Sequence, residues 1–284
     1  MDSKSLSGRR RAYDRVLRTL LWASALLTCA LLAVLIGYIF YRGLPEVSWE
    51  LLSTQPSVLR DVTGILPNLI NTLVLILGTL LIVLPLGVGA AIYLTEYARS
   101  QRVVGLIEFA TETLTGIPSI LYGLVGMLFF VQFLGWKSSI RAGILTLVIM
   151  ILPTIVRTTQ EALKTVPRSY REAALGLGSG KWRMIRTVVL PSSVDGIVTG
   201  CILAVGRIVG ESAALLYTAG SASVLVGSLP ELLNTSGGSL TVALYMYTME
   251  RGKLSTGFAI ASILMVLTLV LNLSAKLVGR KLKR

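Results

Sequence analysis

Glu172-Ala173-Ala174-Leu175-Gly176-Leu177-Gly178, followed by Val188-Val189-Leu190-Pro191, lies in a basic polar segment, about 157–191, between long apolar runs. Pro167 permits a helix start, and Arg168 to Leu175 can form about two turns. Ala173 and Ala174 are small, so another protein's surface can approach the backbone closely. Gly176, Gly178 and Gly180 then break the helix and allow a tight reversal. Lys181 to Val189 can form a second short helix, ended at Pro191. Such a knob fits a groove on a partner and moves as a rigid body. The plainer alternative is a solvated hairpin with an Arg168–Glu172 pair at i,i+4, worth only tenths of a kcal/mol. Gly176 to Trp182 imitates a phosphate-binding glycine loop. Leu175 stands where its first Gly belongs, however, and Trp182 where the magnesium-ligating Ser or Thr belongs, so ATP binding by this chain is not expected.

The apolar runs around the knob set the class. Apolar residues make up 54% of the chain and charged residues 14%, with a mean hydropathy of +0.75, against about 25% charged in soluble domains. Several runs approach the roughly 20 residues needed to cross hydrocarbon. An all-α integral membrane protein fits. The formal charge of +13 raises nucleic acid as a partner, but no soluble basic domain exists to carry it. There is no His, and Cys29 and Cys201 sit in separate apolar runs. A structural zinc site, a disulfide framework and a His-based triad are therefore not expected. Arg9, Arg10 and Arg11 before the run from Leu17 imitate a signal peptide. That run continues to Tyr41 without a small-x-small cleavage site, so a retained first span is expected.

Six spans are read, at about 17–41, 66–94 (bent by Pro85), 117–135, 140–157 (Pro153 near its end), 192–217 and 255–278. Segment 102–135 is too long for one straight span. An interfacial or cytoplasmic helix to about Thr115, a break at Gly116-Ile117-Pro118, and then the span is expected. With the N-terminus inside, 20 of the 27 Lys and Arg fall in cytoplasmic segments and 6 outside (Arg42, Arg60, Lys137, Arg141, Arg251, Lys253), with Arg207 left over. That asymmetry predicts both termini and the glycine-hinged knob in the cytoplasm.

Arg207 and Glu211 are deep charges. Both fall inside the expected fifth span, and i,i+4 spacing puts them on one face. An ionised group there costs about 2.5–3.5 kcal/mol on insertion scales. One reading is a self-neutralising pair that merely lets the helix insert. The functional one is an anion relay, with Arg207 attracting an oxyanion and Glu211 holding Arg207 when the path is empty. Gly206 and Gly210 flank the pair and permit close helix packing. A carboxylate beside the path tolerates phosphate, which still carries a proton to donate, and repels sulfate. After the Gly116–Pro118 break, free N–H groups and Ser119 would point into the bundle as an anion contact. An ordinary kink at a helix start is the alternative.

These stretches resemble a known family. Glu-Ala-Ala, three residues, Gly, nine residues, then an aliphatic-x-Leu-Pro ending is similar to the EAA loop of ABC-importer membrane subunits; Val188 replaces the commoner Ile. Gly116-Ile-Pro-Ser-Ile-Leu-Tyr-Gly123, Gly206-Arg-Ile-Val-Gly-Glu-Ser212, Leu86 to Tyr97 and Ala213 to Gly220 resemble phosphate-specific ABC importer permeases of the A type, from about residue 60 to the end. The resemblance implies a type I importer (MetI-like) fold with six transmembrane helices in a prokaryotic plasma membrane. It divides the chain into 1–60 (N-terminus, first helix, external loop) and a transmembrane core over 61–284. It places Arg207, Glu211, Ser119 and Ser212 on the substrate path. Glu172, Ala173, Ala174 and Gly178 would contact the ATPase. It implies a non-catalytic subunit without cofactor, ATP and magnesium residing on the partner. The partners would be a homologous C-type permease, two ATPase subunits and an external phosphate-binding protein. A permease for sulfate, molybdate or tungstate differs only in specificity. A membrane enzyme would need converging acid, base or metal-ligand groups, whereas only Arg207 and Glu211 lie deep and there is no His. A scaffold would need neither the deep charges nor the loop.

Overall fold

The computed structural model describes residues 8–57 and 62–282, with side chains within 13–281. The side chains of Arg9, Arg10 and Arg11, residues Arg60, Lys283 and Arg284, and the division at 60/61 lie outside that range. The chain is helical: α1 Gly8–Gly43, α2 Trp49–Ser53, α3 Leu66–Ile92, α4 Gln101–Thr115, α5 Ser119–Gly126, α6 Ile140–Thr165, α7 Arg168–Gly176, α8 Lys181–Met184, α9 Leu190–Val209, α10 Ala213–Thr218, α11 Leu229–Asn234, α12 Leu240–Tyr245 and α13 Leu254–Leu282. Wide π turns extend α3 to Tyr97 and α5 to Phe133, and join α8 to α9 through Ile185–Val189.

Among the described residues, five stretches are long and apolar enough to cross a membrane, and α4 with α5, bent by 98°, makes six if counted as one broken span. The bend falls where the sequence places it. Pro118 has no N–H to continue the ladder, and the Tyr122 hydroxyl reaches across to the Leu114 carbonyl at 2.7 Å. Two span limits differ from the sequence reading. α6 runs eight residues past 157, to Thr165, with Pro153 well inside it. The fifth helix does not run from 192 to 217: it is continuous from Lys181 to Val209 and breaks at Gly210-Glu211-Ser212. Pro191 therefore does not end the second knob helix. The π turn before it changes the hydrogen-bond register, and Pro at the start of α9 forfeits little.

α6 is the central helix, burying Leu147, Ile151 and Ile155 against α3 and α9. α13 covers α9, and α1 lies on α13, where Gly43 abuts the Phe258 carbonyl. The close approach of α6 to α9 depends on two glycines one turn apart. A Cβ at Gly196 would collide with Ala162, and one at Gly200 with Thr158. Gly206, by contrast, faces open space, and Gly210 meets only its own helix. The small-residue seam of tightly packed membrane helices thus lies ten residues, nearly three turns, earlier than expected.

Opposite the knob, the chain between α10 and α12 is largely exposed, but the irregular stretch that enters α12, Gly237-Gly238-Ser239, is buried. Its backbone is satisfied by α3: Asn68 and Asn71 donate to the Gly238 carbonyl at 2.9 and 3.3 Å, and the Thr72 hydroxyl accepts from Leu240 N at 2.8 Å. Non-helical backbone at such depth persists only with partners of this kind.

Candidate functional site

The knob is α7, a glycine reversal and α8. Ser179 N bonds the Ala174 carbonyl and Gly178 N the Leu175 carbonyl, with Gly178 at φ +80°. This is a Schellman stop, whose left-handed position suits glycine. Glu172 and Ala173 face outward, and Leu177 (89% exposed), Tyr170, Leu175 and Trp182 form an apolar exterior. Ala174 is turned the other way. It packs on the chain's own cluster of Ile92, Leu163, Met184 and Ile185, so its small size seats the knob rather than admitting a partner. The Arg168–Glu172 pair does not form among the described residues.

The neighbouring arginine does more. Arg171 pairs with Glu96 at 2.9 Å, their side chains only 17% and 7% exposed. The guanidinium also donates to the Leu163 and Val166 carbonyls at the end of α6. One side chain thereby ties the knob to the ends of both α3 and α6. Charge-assisted, forked bonds of this type are the strong ones. Nothing local marked these two residues, which stand 75 apart in sequence; only the fold joins them. α4 is tied to α6 by Glu108–Lys164 at 2.9 Å and Glu112–Arg157 at 3.2 Å.

From the knob, Lys181 to Val209 forms a single rod of 29 residues. At 1.5 Å per residue, Arg207 stands about 39 Å along it from Lys181. There the guanidinium is half-buried and donates to the Thr154 hydroxyl of α6 at 3.4 Å, a long bond. The expected Arg207–Glu211 pair is absent among the described residues. The helix ends at Val209, so the i,i+4 register that would bring the two together is lost. Glu211, 7% exposed, accepts instead from Ala214 N at 2.9 Å and serves the start of α10. Thr241 donates to the Val209 and Glu211 carbonyls at 2.9 and 3.2 Å, satisfying the broken end. Ser212 lines a cavity of about 220 Å³ with Ile120, Tyr217 and Tyr245. Ser119, half-buried, opens α5 one residue before Ile120. α5 reaches this region because Gly123 lets it close on α10: a Cβ there would stand 2.7 Å from Ala214 Cα. The structure thus brings Ser212 and the start of α5 to one cavity, while Arg207 bonds Thr154 of α6.

The described residues form a helical membrane bundle with a protruding glycine-hinged knob, and comparison with known proteins gives its class. Residues 83–284 match the family described as binding-protein-dependent transport system inner membrane component, and the chain belongs to it. It is 34% identical over 282 residues to the "Probable ABC transporter permease protein YqgI" of Bacillus subtilis, covering 95% of this chain and 96% of that one. It is 33% identical to the phosphate transport system permease protein PstA of Yersinia pestis, over 96% and 92% of the two chains. PstA 2 of Mycobacterium tuberculosis is 34% identical over 93% and 88%. Among solved structures, the MetNI methionine ABC transporter in an inward-facing conformation aligns with a TM-score of 0.59 at 21% identity, covering 78% of this chain and 95% of that one. A bacterial alginate importer aligns at 0.65 and 16%, covering 96% and 100%. The chain is a multi-pass ABC importer permease with the MetI-like fold.

Proposed function

We propose that this permease carries phosphate inward, as the A-type half of a transporter completed by a homologous permease, two ATPase subunits and an external binding protein. The observation that carries the reading is Arg207. It is a permanent cation set deep in an apolar rod, held among the described residues only by a neutral hydroxyl, and so able to exchange that bond for an oxyanion. The several relatives named as phosphate permeases support the choice of anion, and the solved alginate importer in complex with its periplasmic protein supports an external binding protein as a partner. Lys and Arg asymmetry supports a cytoplasmic knob and cytoplasmic termini. The ATPase then docks on the face of Glu172, Ala173 and Leu177, with Gly178 and Ala174 shaping it from within. ATP and magnesium belong to that partner. Ser119, which opens α5, and Ser212, in the break after α9, serve the same anion beyond Arg207. Glu211 acts by holding the break open for passage, not by restraining the arginine.

Uptake of radiolabelled phosphate by the reconstituted complex tests the reading. Wild type should transport phosphate with little competition from sulfate, and Arg207→Ala should lose uptake while the complex still assembles. Undiminished uptake in Arg207→Ala would remove the central residue, and strong competition by sulfate would favour a general oxyanion permease.

A further inference from the structure

We infer a second anion site, at the joint between the knob and the membrane bundle, which takes a phosphate group from the cytoplasmic side; the sidedness rests on the function proposed above. A polar pocket of about 460 Å³ opens between the end of α3, α4, the end of α6 and α7. It is lined by three cations, Lys164, Arg168 and Arg171, and two carboxylates, Glu96 and Glu108. Both carboxylates are already spent: Glu96 holds Arg171 and Glu108 holds Lys164, each at 2.9 Å. Arg168 is the surplus charge, without an ion pair or side-chain hydrogen bond among the described residues.

Two further groups lie at its wall, since Thr95 and Arg168, the first residue of α7, both line the pocket. The Thr95 hydroxyl is buried with no hydrogen bond among the described residues. The N-terminus of the nine-residue α7 follows Pro167 with no side-chain cap, so its first N–H groups present partial positive charge. A surplus guanidinium, an orphan hydroxyl and an uncapped helix start around one cavity make an anion receptor. The volume holds a phosphate group together with several waters or a substituent, since a water occupies roughly 30 Å³. Both inorganic phosphate and an anionic phospholipid headgroup carry that chemistry. Because Arg168 belongs to the knob and Thr95 to the end of α3, an occupant would bridge the two, stiffen the joint and slow the cycle.

The test uses the assembled complex in nanodiscs, with ATPase activity stimulated by phosphate-loaded binding protein as the readout. One arm uses phosphatidylcholine alone and titrates inorganic phosphate. The other replaces part of that lipid with phosphatidylglycerol and adds no free phosphate. Inhibition in the first arm assigns the site to free phosphate, and inhibition in the second to the headgroup. In either case Arg168→Gln and Thr95→Val should shift the inhibitory concentration upward by about tenfold, the loss expected for one charge-assisted hydrogen bond. Inhibition at the ATPase's own nucleotide site would not move with these substitutions. A wild-type rate flat in both arms, or variants that titrate like wild type, overturns the inference. If loaded binding protein fails to stimulate wild type at all, it is the transport reading that falls.

Discussion

Removing Glu96 probes the joint on which force transmission depends. In Glu96→Ala, Arg171 keeps its bonds to the Leu163 and Val166 carbonyls but loses both bonds to the carboxylate. Breaking a buried ion pair from one side costs about 3–5 kcal/mol. The pair lies beside a polar pocket and Arg171 keeps two acceptors, so the low end, about 3 kcal/mol, applies. This energy holds the knob on the bundle rather than the whole fold together, so it should appear as local undocking. A change of that size multiplies the undocked population on the order of a hundredfold. Amide hydrogen exchange over 173–179 is the assay, with the α6 amides near Leu147 as internal reference. Exchange in the knob should accelerate by up to that factor while the reference stays still, and uptake should fall relative to ATP hydrolysed. Glu96→Gln, which retains an acceptor, should lie between. The double variant Glu96→Ala with Arg171→Ala also gives up the two carbonyl bonds, so it should be worse than the first alone but fall short of the sum of the two single losses. Unchanged knob exchange in Glu96→Ala, or strictly additive losses in the double variant, would refute the clamp.

Further outcomes follow from the same geometry. Gly200→Ala should lower thermal stability by about 1–3 kcal/mol through overpacking against Thr158; Gly206→Ala, facing open space, should not, and a thermal melt of the purified complex compares them. Gly178→Ala places a side chain at φ +80° and should cost about 1 kcal/mol, read as faster exchange at Gly178 and Ser179. Thr154→Val removes the hydroxyl on Arg207 and should change the apparent KM for phosphate by about threefold without altering assembly.

Much of the architecture was legible because it is written locally. Apolar runs gave the spans, and Gly116-Ile117-Pro118 marked the bend. Gly176 to Gly180 marked the reversal, down to the left-handed Gly178. What escaped was set by register and by distant contacts. Whether a helix continues through Pro191 depends on a π turn that no residue type announces, and whether it continues through Gly210 depends on Thr241, thirty-two residues away from Val209, satisfying the open end. Once the helix ended at Val209, the i,i+4 rule no longer joined Arg207 to Glu211. Gly206 and Gly210 looked like a packing seam, but Gly196 and Gly200 form it, and only the placement of α6 decides between them. Arg171 and Glu96 are ordinary surface charges in sequence, and tertiary structure alone makes them a clamp.

The second knob helix and Arg207 belong to one rod, Lys181 to Val209, so movement of the docked loop is movement of the anion site. Pulsed spin-label distances between Arg186 and Leu203, both exposed, measure it in the assembled complex with and without trapped nucleotide. Seventeen residues of unbroken helix give about 26 Å between backbone positions. A single distribution near that value, identical in both nucleotide states, is the predicted result. A second, shorter population on nucleotide binding would show the rod folding at Pro191 and would contradict it.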